Sequence, residues 1–442
     1  MGQWAMLKDS LKIILNEFHE TELPDLIPRH LSIDHSVLHF PVNKIITIIG
    51  ARRAGKTTFL FQLMKEFITA GRDITDFIYI NFEDERLLPL RAEELHLILD
   101  AYFELYDESK QPFVFLDEVQ NIDGWDKFVR RLNDQGYTTV ITGSNSRMLG
   151  REIATALRGR TLTYEIFPFS FLEFLDSKHI KFEKRNLFSK KRYQIRQLFD
   201  TYFFYGGYPE ITFLEDKSTQ TRVLQDYFNT LFYRDLVERY KIKNTDLMRL
   251  WLTTLMANIS SMISLSKAEN DFKSRGMKLS KASLSTYAGY VEDVYFGFFV
   301  SLYTNSERKR QVNPKKFYLI DPGLHNLLTF KFSENKGRLL ENLVFLELRR
   351  KGKQVSYFKS KRGYEIDFLV DEHDEKKLIQ VCHDLNHIDT FNREKRALLE
   401  GIKEFGLDSG LILTYDDKRR DEVEGHAINI MPAWEWLLVN DL

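Results

Sequence analysis

Hydrophobic and polar positions follow two patterns along the first third of the chain. Short continuous apolar runs, which are typical of buried strands, alternate with longer segments whose apolar residues recur every three or four positions. The apolar runs lie at 45–50, 77–82, 113–119 and 137–145. Strands that alternate with amphipathic helices in this way predict a parallel sheet covered by helices on both faces.

The pattern changes twice further along the chain. Beyond about residue 170 it is mostly helical, and from residue 263 it predicts a helix, a turn, a second helix and two strands. From Gly337 a helix precedes strands at 354–358, 364–370, 378–382 and 410–414. The sequence therefore predicts five regions: a helical lead-in (1–36), an α/β core (37–169), a helical region (170–262), a helix-turn-helix region (263–330) and a C-terminal α/β region (331–442).

Composition adds limits on the class of protein. The chain has 442 residues, 43% of them hydrophobic, which is enough apolar material for roughly two to four domains. The net charge of -1 provides no overall attraction to nucleic acid or anionic lipid, so such binding requires local patches. One cysteine, Cys382, excludes an internal disulfide, and the start of the sequence lacks a signal-peptide pattern. We expect a cytoplasmic protein that does not enter a membrane.

The stretch IITIIGARRAGKTT at 45–58 matches the phosphate-binding pattern G-x-x-x-x-G-K-[ST]. Glycines let the loop curl so that backbone N–H groups reach phosphate oxygens, the lysine neutralises the β and γ phosphates, and the hydroxyl binds Mg²⁺. A strand before the loop and a helix after it favour this function over a chance match. The predicted nucleotide-binding residues are Gly50, Ala51, Arg52, Arg53, Ala54, Gly55, Lys56, Thr57 and Thr58.

An acidic pair ends the third apolar run, FVFLDEV. We predict that Asp117, together with Thr57, binds Mg²⁺, and that Glu118 accepts a proton from the attacking water. Taken alone, an Asp-Glu pair after an apolar strand is more often an ordinary transition from strand to loop. The phosphate-binding loop earlier in the chain favours the functional interpretation.

Other polar residues follow the predicted strands or a short helix. Asn81, Ser144 and Asn145 stand where two strands end, which is the edge of a parallel sheet that binds ligands. Arg158 and Arg160 follow a short predicted helix, and either could reach the γ-phosphate of a neighbouring subunit and stabilise the transferring group. Ordinary turn residues and solvated arginines are the alternatives.

These segments together resemble a family of prokaryotic AAA-type ATPases that combine an AAA_14 domain with a DUF4143 domain. The resemblance covers about residues 25–438 and is carried by GARRAGKTT, YINFEDERL, FVFLDEVQNIDGW, ITGSNSRML, LRGRTLTYEIFPFSFLEFL and GGYPE. It implies an AAA+ core with a helical lid, ATP as the nucleotide, and a homo-oligomer, often a hexamer, with sites between subunits. It also implies that Ser144 or Asn145 is the sensor and that Arg158 or Arg160 is the arginine finger.

The region 263–330 resembles a winged helix. Its second helix carries Lys281 and several small polar residues, and we predict that a basic hairpin follows as the wing, with Arg308, Lys309, Arg310, Lys315 and Lys316. Such a wing is suited to contacts with the phosphate backbone of DNA. Winged helices also bind proteins, and this alternative remains open.

The C-terminal region resembles the PD-(D/E)XK fold of restriction endonucleases. The matching acidic and amide positions are Glu341, Asp367 and Gln380, but Cys382 stands where that family has its lysine. A neutral thiol cannot stabilise developing charge as a lysine does, so we do not expect nuclease activity.

Three hypotheses follow from the sequence. The first is an oligomeric Mg²⁺-dependent ATPase that acts on DNA. The second is a nucleotide-gated signalling or assembly switch that recruits a protein partner. The third is a metal-dependent nuclease.

Overall fold

The computed structural model describes residues 3–38, 42–88, 90–144, 157, 159–327, 336–372, 375–385 and 388–439. The chain divides into two compact units, Met1–Phe167 and Pro168–Leu442. In the described ranges, no helix has both the length and the apolar character that crossing a membrane requires.

The first unit is built on a sheet of five parallel strands in the order β2-β3-β4-β1-β5. The strands are β1 (Ile45–Gly50), β2 (Phe77–Asn81), β3 (Phe113–Asp117), β4 (Thr139–Gly143) and β5 (Thr161–Ile166). The four predicted strands are confirmed, and β5 is an additional edge strand that pairs with β1. Because all strands run in the same direction, their carboxyl ends meet at one edge of the sheet.

Four helices of the first unit are α1 (Gln3–Glu20), α2 (Lys56–Thr69), α3 (Leu97–Leu105) and α4 (Trp125–Asp134). The amphipathic pattern of α1 buries Leu11 and Leu15 completely, and the helix packs against α3 and β2. The predicted helical lead-in is too long, because α1 ends at Glu20 and residues 21–34 form no regular element. Helix α2 buries Leu60, Leu63 and Met64.

The second unit begins with helices. They are α5 (Phe171–Ser177), α6 (Lys191–Tyr205), α7 (Pro209–Phe213), α8 (Lys217–Thr230), a π-helical segment (Leu231–Glu238) and α9 (Thr245–Ala257). The motif GGYPE links α6 to α7, where Pro209 occupies the first helical position, in which its missing N–H is harmless. This region is helical, as predicted.

A three-stranded antiparallel sheet follows, in the order β6-β8-β7. Its elements are β6 (Met262–Ile263), α10 (Leu265–Ser274), α11 (Lys281–Asp293), β7 (Gly297–Val300), α12 (Glu307–Val312), β8 (Lys315–Leu319) and α13 (Pro322–Asn326). Two details of the predicted basic hairpin are wrong: residues 308–310 lie on the short helix α12, and Lys316 is only 2% exposed. Lys316 is therefore not available as part of a solvent-facing wing.

The last sheet has six strands in the order β13-β14-β12-β11-β10-β9. Its elements are α14 (Lys336–Arg350), β9 (Val355–Lys359), β10 (Glu365–Glu372), β11 (Glu375–Val381), α15 (Ile388–Phe405), β12 (Ser409–Thr414), β13 (Arg419–Val423), β14 (His426–Pro432) and α16 (Ala433–Val439). The four predicted strands are present, and β13 and β14 extend the sheet. Strands β11, β12 and β14 are parallel, and the other pairs are antiparallel.

Candidate nucleotide-binding site

The phosphate loop, residues 50–57, joins the buried strand β1 to the start of α2. Two of its positions require glycine. A Cβ atom on Gly50 would lie 2.0 Å from the carbonyl oxygen of Ile166, and Gly55 has a φ of 95°, which side chains disfavour. The loop therefore presents its backbone directly ahead of a helix N-terminus, where N–H groups and the helix dipole attract anions.

Lys56 is 4% exposed and lies against the phosphate loop. Its Nζ atom lies 3.4 Å from the carbonyl oxygen of Gly50, 3.3 Å from that of Ala51, and 3.1 Å from Oε1 of Glu118. The ammonium is thus held between the loop and the end of β3. This position allows it to meet a negatively charged ligand at the carboxyl edge of the sheet.

Asp117 ends β3 and is fully buried among hydroxyl donors. Its Oδ2 accepts hydrogen bonds from Oγ1 of Thr57 at 2.6 Å and from the Tyr79 hydroxyl at 3.2 Å, and its Oδ1 accepts one from Thr142. Burial raises the pKa of Asp117, although the hydrogen bonds from Thr142 and Thr57 oppose this shift. Strand β3 therefore holds a carboxylate against the first turn of α2.

Glu118 directly follows Asp117 and has a left-handed backbone, with φ of 54°. Its backbone N–H donates to Oγ1 of Thr142 at 2.9 Å, and its carboxylate accepts a hydrogen bond from the amide of Gln120. Burial acts to raise the pKa of Glu118, but the charge of Lys56 and the hydrogen bond from Gln120 outweigh it, so the pKa is lowered. The side chain is an ionised carboxylate beside the phosphate loop. A left-handed non-glycine residue is strained, and such strain is common at functional sites.

Arg29 supports the phosphate loop from the segment after α1. Its guanidinium donates at 2.6 Å to the carbonyl oxygen of Ala54, within the loop, and at 2.6 Å to that of Phe167. Its backbone N–H donates to Oε1 of Gln62 on α2. Arg29 is 7% exposed and fixes the shape of the loop through backbone atoms.

Sequence reasoning missed Arg29, Tyr79, Thr142 and Gln120. Register offers a signal for one of them, because Tyr79 lies two residues before Asn81, which pairs with Asp117 across the sheet. Asn81 itself closes a turn by accepting the backbone N–H of Glu83 at 2.9 Å. This hydrogen bond is typical of a turn residue, and a role of Asn81 near the γ-phosphate stays a prediction.

Further predicted site residues lie after β4, on the phosphate loop and in the first turn of α2. Ser144 is buried and accepts a hydrogen bond from Gln120 at 3.2 Å, which connects it to Glu118. Arg52 pairs with Glu83 at 3.0 Å, and Arg53 is exposed on the loop. Thr58 lies in the first turn of α2, partly buried. Asn145 and Arg158 lie outside the described residues.

Arg160 lies at the opposite edge of the sheet from the phosphate loop of its own chain. Its carbonyl oxygen accepts the N–H of Ile45, the first residue of β1, and its guanidinium pairs with Asp134 at 3.0 Å. The phosphate loop follows the last residue of β1, so the whole strand separates the two. Any contact between Arg160 and a γ-phosphate would have to involve the nucleotide of another copy.

The residues predicted from the nuclease resemblance lie in the second unit. Glu341 is on α14 and Asp367 on β10, where its backbone N–H donates to Oε1 of Gln380 on β11 at 3.1 Å. Cys382 is partly buried, and its thiol donates to the carbonyl oxygen of Asp384 at 3.2 Å. Burial raises the pKa of Cys382 to about 11, so the thiol is neutral near pH 7.

The donor chemistry at the carboxyl edge fits a nucleotide with Mg²⁺. The Thr57 hydroxyl and the Asp117 carboxylate are hard oxygen ligands within hydrogen-bonding distance of each other, and Mg²⁺ prefers such ligands beside substrate phosphates. Lys56 and the loop amides offer positive charge and donors to the phosphates. The fold and this site together define a P-loop nucleotide-binding protein.

Comparison with known proteins identifies the family. A model of an AAA domain, AAA_14, matches residues 42–175, and models of two domains of unknown function, DUF8612 and DUF4143, match 196–335 and 336–436. An uncharacterized protein of Methanocaldococcus jannaschii is 39% identical over 90% of this chain and 88% of its own length. An uncharacterized protein of Haemophilus influenzae is 28% identical over 89% and 94%. The chain belongs to the AAA-type ATPases that combine AAA_14 with DUF4143, and the resemblance seen in the sequence is confirmed.

Solved structures are more distant. Cdc6p from Pyrobaculum aerophilum covers 75% of this chain and 98% of its own, with 12% identity and a TM-score of 0.28. A likeness this low carries no information about substrate or partner.

Proposed function

We propose that the protein is a Mg²⁺-dependent enzyme that hydrolyses ATP to ADP and phosphate and couples its nucleotide state to a conformational change in an oligomer that acts on DNA. One observation carries the nucleotide chemistry. Lys56 with Glu118, and Thr57 with Asp117, form two adjacent pairs at the carboxyl edge of a parallel sheet, ahead of a helix N-terminus. These four side chains are those that phosphoryl transfer to water requires.

Each side chain has a separate role in the proposed reaction. Lys56 and the loop amides bind the β and γ phosphates, and Thr57 and Asp117 supply the oxygen atoms that would hold Mg²⁺. The ion, when bound, neutralises charge on the phosphates. Glu118 orients the attacking water and takes its proton, for which its ionised state is suited. Tyr79 and Thr142 keep Asp117 in position through their hydroxyl groups.

The pair between Lys56 and Glu118 is the basis on which we propose two states of the site. Without a ligand, the two charges are 3.1 Å apart and satisfy each other. A phosphate group competes for Lys56 and releases the carboxylate of Glu118 toward the water. A ligand that binds one of two arrangements better shifts the protein toward it, and this supports nucleotide-dependent switching.

Further residues belong to the oligomer. We assign the sensor role to Ser144 or Asn145, of which Ser144 is linked to Glu118 through Gln120. Arg160 or Arg158 is the arginine finger for the nucleotide of a neighbouring copy. The position of Arg160, one strand length from its own phosphate loop, supports a role between copies. A hexamer is the assembly that we expect.

The proposed DNA contact rests on exposed cations in the region 263–330. Arg308, Lys309 and Arg310 are exposed on α12, and further exposed cations lie on or between α10 and α11. The latter are Lys267, Lys273, Arg275, Lys278 and Lys281. A local concentration of cations binds the phosphate backbone even when the whole chain is nearly neutral.

The test of the nucleotide chemistry is Glu118→Gln. We expect the variant to bind ATP with little change in affinity and to hydrolyse it roughly 100- to 10,000-fold more slowly, because the amide cannot accept the proton. Glu93→Gln, an exposed glutamate away from the phosphate loop, is the control. Equal turnover by Glu118→Gln and the wild type would refute the role of Glu118.

A second experiment tests the DNA contact and separates it from the protein-recruiting switch. Fluorescence anisotropy with duplex and forked DNA measures affinity against salt, and ATP turnover is measured with and without the same DNA. Replacing Arg308, Lys309 and Arg310 by alanine should make the slope of log K against log salt about 2.7 shallower. Lys361→Ala with Arg362→Ala is the control on another surface. If the protein does not change the anisotropy of the DNA, and DNA does not change ATP turnover, the protein-recruiting switch is favoured.

A further inference from the structure

Lys316 is a buried cation at the meeting point of three carboxylates in the second unit. It lies on β8, is 2% exposed, and its Nζ atom is 2.7 Å from Oδ1 of Asp367. The same Nζ is 3.0 Å from Oε1 of Glu341 on α14 and 3.0 Å from Oε1 of Glu365 on β10. We call Glu341, Glu365 and Asp367 the carboxylate cluster.

The number of donors matches the number of carboxylates. A lysine ammonium has three N–H donors. Nζ of Lys316 donates hydrogen bonds to Oδ1 of Asp367 and Oε1 of Glu341, and it forms an ion pair with Oε1 of Glu365 at 3.0 Å. Burial acts to lower the pKa of Lys316, but the charges of Asp367 and Glu341 outweigh it and raise the pKa well above its ordinary value. The lysine is therefore charged. Tyr318, two residues further on β8, also donates to Oε1 of Glu341, at 2.7 Å.

The carboxylate cluster contains two of the positions at which the nuclease resemblance predicts a metal site. Its oxygen atoms are hard ligands of the kind that Mg²⁺ and Mn²⁺ prefer. The geometry of this chain nevertheless does not fit a metal ion, because the ammonium of Lys316 stands at the point where the oxygen atoms converge. Among the residues that the structure describes, no group of three or more His, Cys, Asp or Glu side chains is arranged to hold a metal.

The remaining polar atoms near the cluster have protein partners. Oδ2 of Asp367 accepts the backbone N–H of Val381 at 2.9 Å. The Gln380 side chain accepts the N–H of Asp367 at 3.1 Å and donates to Oε2 of Glu394 at 2.5 Å. A divalent ion would have to break this network and place a second cation beside a buried ammonium. Both changes oppose metal binding.

We propose that Lys316 is the permanent occupant of a cation site in the nuclease-like domain, where it replaces a divalent metal ion and fixes β8 to α14 and β10. Glu341 and Asp367, which the nuclease resemblance assigns to a metal site, hold an internal ammonium instead. The carboxylate cluster is therefore a structural ion cluster. This inference does not depend on the nucleotide chemistry of the first unit.

The proposal makes a definite statement about metal binding. Manganese binding to the full-length protein, without nucleotide, is measured by electron paramagnetic resonance of free Mn²⁺ and by thermal unfolding. The wild type and the Asp367→Asn variant should bind the same number of Mn²⁺ ions. An Mn²⁺ site in the wild type that disappears in Asp367→Asn would overturn the proposal, and this measurement does not depend on any Lys316 variant folding.

Removing the ammonium should create a metal site. We expect Lys316→Met to unfold at a lower temperature than the wild type, because the carboxylate cluster, in which burial already raises the pKa of Glu341 to about 8, loses its cation. Manganese at one hundred times its Kd should then raise the unfolding temperature of the variant by roughly 5 °C. Lys316→Met combined with Asp367→Asn should gain no such shift. A Lys316→Met protein that folds and gains no Mn²⁺ site would also overturn the proposal.

A matched control separates this effect from general damage. Lys353 is a lysine of the same domain that pairs with one acid, Glu372, near the surface. Lys353→Met should lower the unfolding temperature little and should gain no Mn²⁺ site. If Lys316→Met fails to fold, the triple change that adds Glu341→Gln and Asp367→Asn should restore folding, because it removes the uncompensated charge. Failure of the triple variant as well would count against a role based on charge.

Discussion

The two units each bury a lysine against carboxylates, and the two lysines have opposite uses. Lys56 is 4% exposed and has one carboxylate partner, Glu118, and two loop carbonyl oxygens at 3.3 and 3.4 Å. Lys316 is 2% exposed and has three carboxylate partners at 2.7 to 3.0 Å. The residue type and its burial are therefore nearly the same in both places.

The two lysines differ in the negatively charged groups that surround the ammonium. One carboxylate and long contacts to carbonyl oxygens leave Lys56 available to a phosphate, which brings more negative charge than Glu118 supplies. Three carboxylates at hydrogen-bonding distance leave Lys316 with no need of a ligand. The two lysines thus differ in the negative charge around them, which is one carboxylate beside Lys56 and three beside Lys316.

The largest effect expected from this comparison is the loss of turnover in Lys56→Met. Without the ammonium, the phosphates lose a direct charge partner, and ATP hydrolysis should fall by at least about 100-fold. The unfolding temperature should fall less than in Lys316→Met, because one carboxylate is left unpaired instead of three. Lys65→Met, on the exposed side of α2, is the control for both measurements. Turnover within threefold of the wild type would show that Lys56 is not needed.

Arg29 sharpens the comparison because its guanidinium donates to backbone carbonyl oxygens, one of them within the phosphate loop. Arg29→Lys can satisfy one of the two carbonyl oxygens, so the loop should shift and kcat for ATP should fall by about 10- to 100-fold. The loss of one charged hydrogen bond should reduce the free energy of unfolding by roughly 1.5 to 3 kcal/mol. Arg91→Lys, which is exposed, is the control. An unchanged kcat with reduced stability would restrict Arg29 to a structural role.

Asp321 is a third buried titratable residue, and its carboxyl group is held by backbone N–H donors. Its Oδ2 accepts the N–H of Gly207 at 2.7 Å and its Oδ1 that of Gly323 at 2.8 Å. Burial raises the pKa of Asp321 to about 7. Since the folded pKa lies above the unfolded value of about 4, the protonated carboxyl favours folding at low pH, and this stability is lost as the pH rises toward 7.

Asp321→Asn tests this pH dependence because asparagine does not titrate. Urea unfolding between about pH 4.5 and about pH 8 gives the free energy for both proteins. The wild-type value minus the variant value should decrease with rising pH by up to about 1.4 kcal/mol per pH unit and become constant above pH 7 to 8. A difference that is independent of pH would mean that Asp321 titrates alike in the folded and unfolded chain.

The smallest effect is expected at Cys382, beside the carboxylate cluster. With a pKa of about 11, its thiol is rarely ionised, so alkylation by iodoacetamide near pH 8 should be about 100-fold slower in the folded protein than in urea. Cys382→Ala should leave ATP turnover unchanged. Rapid alkylation of the folded protein would indicate a reactive thiol and would contradict the view that this region has no reaction centre.

The sequence predicted the sheet of the first unit well because β1 to β4 are continuous apolar runs. Strand β5 was missed because most of its side chains are only half-buried at the edge of the sheet, so TLTYEI gives no apolar run. The acidic pair and the glycines of the phosphate loop were visible because their types and spacing are dictated by the ligand. Thr142 and Tyr79 lie inside strands, where nothing local distinguishes a hydroxyl that contacts Asp117.

Lys316 shows most clearly what a sequence pattern cannot reveal. It follows several basic residues and comes directly before the apolar run FYLI, and this context predicts a place in a solvent-facing wing. Its partners Glu341 and Asp367 are 25 and 51 residues away along the chain. Burial of a charged side chain is decided by tertiary contacts, and the pattern around a single lysine does not contain them.

The position of Lys316 also affects how the protein can be divided for experiments. The models of the two domains of unknown function meet between residues 335 and 336, which is a natural place to begin a shorter fragment. A fragment that starts there contains Glu341, Glu365 and Asp367 but omits the ammonium that neutralises them. If such a fragment bound metal or folded weakly, the cause would be the missing Lys316, and the result would not apply to the intact chain.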